Sequence, residues 1–395
     1  MLARAFNSAA SALRTPNLPR NGSKVVVAMS GGVDSSVTAK LLAEKDYDLS
    51  AVFMRNWDTQ DESGTDVGCE WEKDWEDVQR VCRKLDIPCQ MVDLSREYWL
   101  RVFEPAISTW EKGNTPNPDV QCNGEIKFGA LFDNLPERTD FLATGHYARK
   151  AHHPQNHRPQ LMRANDSLKD QTYYLSSISE SSLDKALFPL ANFSKTQVRE
   201  IAQSAGFHNA SREESMGLCF VGERRRFNDF LGEYVTPRPG PILEIDTNVP
   251  LGQHNGLWTY TIGQGARLPG LATRLFIARK DYQKNTMYVA LPDHPALFTS
   301  NVVSNNFSWI WRDAPPTSAF TPKGFRASVQ IRHRMATVPV TVRQRWTTNA
   351  VQITFDEPHK AVAQGQVAVL YDGDHCLGCG TIDETTILAG SDLQK

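Results

Sequence analysis

The sequence predicts an α/β fold: an N-terminal domain with a doubly wound parallel sheet, then a small β-rich central domain and a C-terminal β barrel. Three observations support this fold class. Short apolar runs alternate with helical patterns in the first half, glycine and proline become frequent over residues 237–270, and β-type runs dominate from Phe325 onward. A length of 395 residues suits two or three domains. We therefore expect domains at 23–220, 221–300 and 301–395.

Four apolar runs in the first half predict buried strands, at residues 24–29, 49–54, 89–93 and 140–144. Helical periodicity predicts helices near residues 36–45, 74–86, 95–110 and 193–206. Ser194 is expected to cap the last of these helices and Gly206 to follow its end. Strands that alternate with helices in this order favour a parallel sheet.

The last third of the chain contains four runs typical of strands: FRASVQIRHR, ATVPVTVRQRW, AVQITF and VAVLY. They predict the C-terminal barrel. Cys376 and Cys379 form a CxxC pattern near the C-terminus, but no second pair of zinc-ligand type accompanies it. We interpret this pattern as a turn between strands.

Composition excludes several classes of protein. No run of about 18 apolar residues occurs, so no membrane-spanning helix is predicted. Seven cysteines do not form a disulfide framework and favour a reducing compartment. The net charge of −2 neither demands nor forbids a nucleic-acid partner. Residues 323–345 hold six Lys or Arg and no acid, which indicates either a phosphate-contacting surface or a solvated sheet face.

The first twenty residues are rich in Arg, Ser and Ala, and the first acidic residue of the chain is Asp34. This composition is typical of a mitochondrial transit peptide, and a disordered tail is the alternative. We expect residues 1–22 to be such a transit peptide and the protein to work in the mitochondrial matrix.

Residues 30–36, with the sequence SGGVDSS, connect the first strand to the first helix. Gly31 and Gly32 allow positive φ and close approach of backbone N–H groups to an anion, and the helix N-terminus adds its dipole. Ser35 and Ser36 are expected to donate their hydroxyls, and Asp34 to cap the helix or hold Mg²⁺. The Walker pattern GxxxxGK[ST] is absent. The loop therefore predicts a phosphate-binding site of another type.

Two cysteines stand in contexts that favour reactivity over inert burial. Cys122 follows the segment TPNPDVQ, and we expect a helix to begin directly after it. A thiol at a helix N-terminus with Lys127 nearby should have a lowered pKa. Cys219 lies between glycines in residues 211–223, a segment that we expect to be mobile. A disulfide between the two thiols would need Cα atoms within about 7 Å.

The SGGVDSS loop resembles the PP-loop of the ATP pyrophosphatase superfamily, whose members cleave ATP between the α and β phosphates and adenylate a carbonyl oxygen. Both cysteine contexts, with MRNW, TGHYAR, KDQTYYL and YTIGQ, closely resemble the tRNA-specific 2-thiouridylase family of mitochondrial type over residues 24–383. The resemblance implies conversion of the C2 carbonyl of a wobble uridine in tRNA to a thiocarbonyl, with ATP and Mg²⁺. It also implies tRNA and an upstream persulfide donor as partners; we expect a monomer and no membrane contact.

The resemblance implies roles for the matching residues. Those that would bind or border ATP are Ala28, Met29, Ser30, Gly31, Gly32, Val33, Asp34, Ser35, Met54 and Gly145. Those that would carry the chemistry are Cys122 as nucleophile, Cys219 as persulfide carrier and Asp119 as general acid or base. Those that would approach the tRNA are Asn117, Pro118, Asp119, His146, Lys169, Asp170, Gln171, Arg332, His333 and Gln366. No residue is assigned to a protein-held metal.

Three positions depart from the family pattern: Gly265 where Arg is usual, Gln364 where Pro is usual and His333 where Tyr is common. They affect the expected tRNA contacts and leave the loop and both cysteines unchanged. Two other functions remain open, namely another PP-loop enzyme acting on a small molecule and a tRNA-binding protein without catalysis. Whether Cys122 attacks the persulfide or the base also remains open.

Overall fold

The computed structural model describes residues 15–57, 70–213, 227–344 and 348–388. Its strands, in chain order, are β1 Lys24–Met29, β2 Asp48–Arg55, β3 Cys89–Asp93, β4 Phe141–Thr144, β5 Arg149–His152, β6 Pro159–Met162, β7 Ala186–Leu187, β8 Gly240–Glu244, β9 Pro250–His254, β10 Phe276–Asp281, β11 Thr286–Ala290, β12 Phe298–Ser304, β13 Ser308–Trp309, β14 Phe325–Gln330, β15 Val338–Gln344, β16 Val351–Lys360, β17 Val367–Asp372, β18 His375–Thr381 and β19 Glu384–Ile387.

The helices lie mainly in the first half of the chain. The α-helical segments are Val33–Ala43, Glu70–Leu85, Ser95–Tyr98, Glu104–Glu111, Pro118–Gln121, Leu131–Asp133, Thr172–Leu175, Glu180–Lys185, Lys195–Ser204 and Phe227–Leu231. Trp99–Phe103 and Cys122–Ala130 continue two of them with π-helical geometry. The capping prediction for the helix Lys195–Ser204 is confirmed, because Ser194 and Gln197 form a reciprocal capping box.

The N-terminal sheet has the strand order β3-β2-β1-β4-β7, and all neighbouring strands in it are parallel. Alternate residues of β1 face two different hydrophobic clusters: Val26 enters one, while Val25 and Val27 enter the other. A strand that is buried on both faces reads as a continuous apolar run, which is why this sheet was predictable from the sequence.

Two further sheets follow the parallel sheet along the chain. Together with the parallel sheet, they confirm the predicted fold class. The central sheet has the order β10-β11-β8-β9 and mixes parallel and antiparallel pairs around a small core that includes Ile277, Met287 and Val289. The C-terminal sheet is antiparallel, with the order β19-β12-β16-β15-β14-β17-β18-β6-β5 and β13 attached to β18. No helix in the described ranges is both long and apolar enough to cross a membrane.

The hairpin β5–β6 joins the C-terminal sheet although it belongs to the first half of the chain. Met162 pairs with His375, and Leu161 pairs with Cys376, both on β18. The cores are also continuous, since Leu142 of the parallel sheet and Tyr371 of β17 belong to one hydrophobic cluster.

The interpretation of the CxxC pattern as a turn is wrong. Cys376 and Cys379 are both buried and lie within strand β18. The pairing of β18 with β17 shifts register between Leu370 and Tyr371 of β17. An irregularity of this kind changes the direction in which the neighbouring side chains point. Both sulfurs therefore pack into the same core.

Candidate active site at the carboxyl edge of the parallel sheet

The strand order places a crevice at one edge of the parallel sheet. Connections from β1 lead to β2 and β3 on one side and to β4 on the other, so the order reverses next to β1. Ligands of doubly wound folds bind outside the carboxyl ends of the strands at such a reversal. Ala28 and Met29 end β1, Met54 lies near the end of β2, and Gly145 directly follows β4. These predicted nucleotide-binding residues therefore share one edge.

The SGGVDSS loop leaves β1 and enters the helix Val33–Ala43 through a backbone shape that glycine favours. Gly31 has φ of 75°, and a Cβ atom there would lie 2.9 Å from the carbonyl oxygen of Asp74. Gly32 is the N-cap residue, and no side chain caps the helix, so the prediction that Asp34 caps it is wrong. The uncapped N–H groups at this helix start are available to an anion.

The two serines after Asp34 use their hydroxyls inside the loop. Ser35 Oγ and Ser36 Oγ donate to the carbonyl oxygen of Gly32 over 3.0 Å and 2.9 Å. Both side chains are buried, whereas Ser30 is exposed. The expectation that Ser35 and Ser36 offer hydroxyls to a ligand is therefore wrong in this conformation. They fix the loop and leave its backbone N–H groups as the donors.

Gly145 touches the same loop from β4. A Cβ atom on Gly145 would lie 2.9 Å from the backbone nitrogen of Ser35 and 3.0 Å from the carbonyl carbon of Asp34. Any larger residue would therefore displace the first turn of the helix. The structure brings Gly145 to the predicted loop, as expected of a residue that borders a bound nucleotide.

Asp34 is held by two partners that the sequence did not indicate. Lys195 Nζ lies 2.8 Å from both carboxylate oxygens, and the Tyr147 hydroxyl donates to Oδ1 over 2.9 Å. Over the described ranges, no group of three His, Cys, Asp or Glu side chains gathers as a metal-binding cluster would require. A role of Asp34 in holding Mg²⁺ stays a prediction.

The helix that carries Cys122 begins earlier than predicted. It starts at Pro118, and Asn117 caps it by accepting a hydrogen bond from the backbone nitrogen of Val120 over 3.4 Å. Proline suits the first helical position because its missing N–H would be unpaired there. Cys122 therefore lies beyond the first turn, where the helix dipole has largely faded, and the prediction of a thiol at the N-terminus is wrong.

Cys122 nevertheless lies at the functional edge of the sheet. Its side chain is 6% exposed, and its Sγ is 4.0 Å from Nδ2 of Asn56, which directly follows β2. The turn before it is fixed from the opposite side, because Ser177 Oγ donates to the carbonyl oxygen of Val120 over 2.8 Å. Cys122 is thus held by the end of β2, next to the strand that carries the loop.

Two titratable groups that lie within the influence of Lys127 are shifted toward their neutral forms. Burial raises the pKa of the Asp119 carboxyl, and the positive charge of Lys127 only partly opposes this effect. Burial lowers the pKa of His146 well below its usual value, and Lys127 adds to that effect. The His146 ring is oriented by a 2.8 Å hydrogen bond between Nδ1 and Thr144 Oγ1. Asp119 is therefore suited to deliver a proton.

The C-terminal sheet holds the segment that leads to Asp119. Gln366 Nε2 donates to the carbonyl oxygens of Thr115 and Pro116 over 2.9 Å and 3.3 Å, and the Thr115 nitrogen donates to the Gln364 carbonyl over 3.0 Å. Gly365 has φ of 90°, and a Cβ there would lie 2.9 Å from three backbone atoms of Thr115. Gln366 was predicted as a tRNA contact, which stays a prediction. In the structure its side chain holds the segment that leads to Asp119.

Comparisons with known proteins decide the family. Three family models match consecutive parts of the chain: "tRNA methyl transferase HUP domain" at residues 23–223, "tRNA methyl transferase PRC-barrel domain" at 228–291 and "Aminomethyltransferase beta-barrel domain" at 300–382. The tRNA-specific 2-thiouridylase of Alkaliphilus oremlandii is 41% identical over 367 residues, covering 91% of this chain and 97% of that protein. The chain belongs to the tRNA-specific 2-thiouridylase family. A Geobacillus kaustophilus member is 44% identical over 367 residues, covering 91% of this chain and 95% of that protein.

Five of the residues that the 2-thiouridylase resemblance assigns to tRNA occupy two turns. In the first, Asp170 is buried and its carboxylate accepts hydrogen bonds from Arg163, Ala164 and Thr172. Gln171 exchanges two hydrogen bonds with the backbone of Tyr147, at 2.9 Å and 3.0 Å. Lys169 is partly exposed on this turn. Contacts of all three with tRNA stay predictions.

The second turn follows β14 and presents Arg332 and His333. Arg332 is exposed, while His333 packs its ring against that of Tyr174, with centroids 4.4 Å apart. Tyr174 is close enough to Asp119 for that carboxylate to contribute to the raised pKa of its phenol. In this member of the 2-thiouridylase family, the turn is therefore linked to Asp119 through Tyr174.

The predicted persulfide carrier, Cys219, lies outside the described residues, as does most of the segment 211–223 whose mobility was predicted. Within the described part of that segment, Arg212 forms ion pairs with Asp74 and Asp77 at 2.6 Å and 3.1 Å. The sequence analysis did not predict that Lys195 and Asn209 contact the SGGVDSS loop. Only their positions after the last predicted strand of the sheet could have suggested it.

Proposed function

We propose that this chain is an ATP-dependent sulfurtransferase of mitochondria that converts the C2 carbonyl of the wobble uridine in tRNA to a thiocarbonyl. The observation that carries the proposal is the placement of Cys122 against Asn56, at the same sheet edge as the glycine loop. Activation of an oxygen and delivery of sulfur can then occur in one site. The acid-free composition of residues 1–20 supports the mitochondrial location.

The residues at the edge fit a bound nucleotide. The absence of side chains at Gly31 and Gly145 lets Asp74 and the end of β4 pack tightly against the loop, which fixes its shape. The N–H groups of the helix start have no side-chain cap and are open to an anion. Ala28, Met29, Ser30, Gly31, Gly32, Val33, Asp34, Ser35, Met54 and Gly145 would hold or border ATP. ATP supplies the adenylyl group that turns the C2 oxygen into a leaving group. Mg²⁺ would accompany the phosphates, since it is commonly held by few protein ligands.

The chain's own groups then account for proton and sulfur transfer. Cys219 would carry a persulfide from an upstream donor. Its terminal sulfur would lose its proton and bond to C2, while the C2–O bond breaks and AMP leaves with the oxygen. The Cys122 thiolate would attack the inner sulfur of Cys219, which breaks the persulfide bond, leaves sulfur on C2 and forms a Cys122–Cys219 disulfide that an external thiol reductant reopens. Asp119, with its raised pKa, would carry the proton that this exchange requires. The alternative, attack of Cys122 on the base, needs the same placement.

A cysteine series tests the reaction. The purified chain is incubated with an unmodified tRNA transcript, ATP, Mg²⁺ and a persulfide donor, and the nucleosides are analysed by mass spectrometry. Cys122→Ser and Cys219→Ser should abolish 2-thiouridine while tRNA-dependent pyrophosphate release persists. Cys89→Ser is the matched control, because Cys89 is a partly buried thiol on β3. Equal thiolation by Cys122→Ser and Cys89→Ser would refute the proposal.

Two further measurements address the alternatives and the location. Pyrophosphate release that depends on a small molecule and ignores tRNA would favour another PP-loop enzyme. Loss of 2-thiouridine from only the mitochondrial tRNA of cells lacking this chain is the result expected from the proposed location. Loss from the cytosolic pool would contradict it. We also propose a monomer, which sedimentation of the purified chain would check.

A further inference from the structure

Asn209 is a buried amide that no part of the proposed chemistry uses. It lies just after the helix Lys195–Ser204 and is 3% exposed. Its Nδ2 donates to the carbonyl oxygen of Gly31 over 2.7 Å and to Ser36 Oγ over 2.9 Å. Its Oδ1 has no hydrogen-bond partner among the described residues. An unpaired buried acceptor lowers the stability of the folded protein, so the two hydrogen bonds that Nδ2 donates must offset the cost of burying Oδ1.

These contacts fix both carbonyl groups of the glycine pair. Asn209 holds the Gly31 carbonyl directly. Ser36, which accepts from Asn209, in turn donates to the Gly32 carbonyl over 2.9 Å. Asn209 therefore fixes the Gly31 carbonyl directly and orients the Ser36 hydroxyl, which shares the Gly32 carbonyl with Ser35 Oγ and with the Ser36 backbone N–H. These are the most flexible peptides of the loop.

The orientation of a carbonyl determines that of the next N–H, because the peptide unit is planar and trans. When the Gly31 carbonyl points toward Asn209 and the Gly32 carbonyl toward Ser36, the N–H groups of Gly32 and Val33 point in the opposite directions. A rotated peptide would instead aim a carbonyl dipole at the phosphates and repel them. The direction of the donors is therefore set by a residue 178 positions away from Gly31.

We propose that Asn209 is the positioning residue that makes this loop selective for phosphate, by holding the Gly31 and Gly32 peptides with their N–H groups toward the nucleotide. The inference rests on the proposed binding of ATP by the loop. It predicts a specific defect. Without Asn209 the adenosine part of the nucleotide still binds, and the binding free energy contributed by the phosphates is lost.

The test compares two ligands by equilibrium binding to the full chain: the non-hydrolysable α,β-methylene analogue of ATP and adenosine. Asn209→Ala should weaken binding of the analogue at least about tenfold, since two hydrogen bonds that shape the loop are lost. Binding of adenosine should be unchanged. Asn209→Asp, which keeps the shape but places an oxygen against the Gly31 carbonyl, should weaken the analogue further.

Val198→Ala is the matched control. Val198 is fully buried in the helix that precedes Asn209, and its side chain has no group that could hydrogen-bond to the loop carbonyls, so its truncation reports destabilisation alone. Equal weakening of both ligands by Asn209→Ala, or equal weakening of the analogue by Val198→Ala, would overturn the inference. A wild-type chain that binds the analogue but never thiolates tRNA would refute the proposed function and leave the Asn209 comparison valid.

Discussion

The contact between Gly365 and Thr115 yields a quantitative prediction. A methyl group at residue 365 would lie 2.9 Å from three backbone atoms of Thr115, closer than Cβ atoms pack, and φ there is 90°. An L-residue at positive φ costs about 1–2 kcal/mol, and forcing a methyl into a filled site costs about 1–3 kcal/mol more. Gly365→Ala should therefore lower the free energy of unfolding by about 2–5 kcal/mol, or displace the segment that carries Asp119 and Cys122.

Gly373→Ala separates the two costs. Gly373 also has positive φ, 58°, but a Cβ there meets nothing within 4 Å. It should show only the conformational cost, about 1–2 kcal/mol, in urea unfolding followed by tryptophan fluorescence.

Activity is the second readout of this pair. A displacement of about 1 Å at a catalytic group can cost about a hundredfold in rate. Thiolation by Gly365→Ala should therefore fall tenfold to a hundredfold, while Gly373→Ala stays near wild type. If both variants unfold alike and both remain active, the C-terminal sheet does not position the segment that carries Asp119 and Cys122.

Two more predictions concern stability. Burial lowers the pKa of His375 to about 4, so the unfolded chain binds more protons than the folded chain between that value and the usual 6.5, and stability falls as pH drops through this window. His375→Asn should remove up to about 3 kcal/mol of the loss between pH 7 and pH 4; identical urea midpoint shifts in both proteins would contradict this. Ser194→Ala should cost about 1 kcal/mol by removing the capping box of the helix Lys195–Ser204, and Ser194→Thr should restore most of it.

The elements that the sequence predicted well are those whose signal is local. The strands Lys24–Met29 and Cys89–Asp93 have the predicted bounds because apolar runs flanked by turns leave little choice. Ser194 was recognisable as a cap because its partner Gln197 is three residues away. The glycine loop was readable because strand, turn and helix follow one another directly.

The errors arose where a distant residue decides the outcome. Asp34 was predicted to cap the helix, but its carboxylate instead forms an ion pair with the ammonium group of Lys195. The helix at Cys122 begins about one turn earlier than predicted, because Asn117 is its N-cap and Pro118 its first helical residue. Gln366 lies 251 positions from Thr115, and no periodicity links them.

The pairing of the hairpin β5–β6 with β18 has a consequence for biosynthesis. During translation, Leu161 and Met162 leave the ribosome long before His375 and Cys376 are synthesised. Until then, the backbone N–H and C=O groups along one edge of β6 have no partner strand. A nascent chain stalled after the central sheet would expose that edge and the apolar surface beneath it. Chaperone demand should therefore peak late in synthesis and end when the final strands close the sheet.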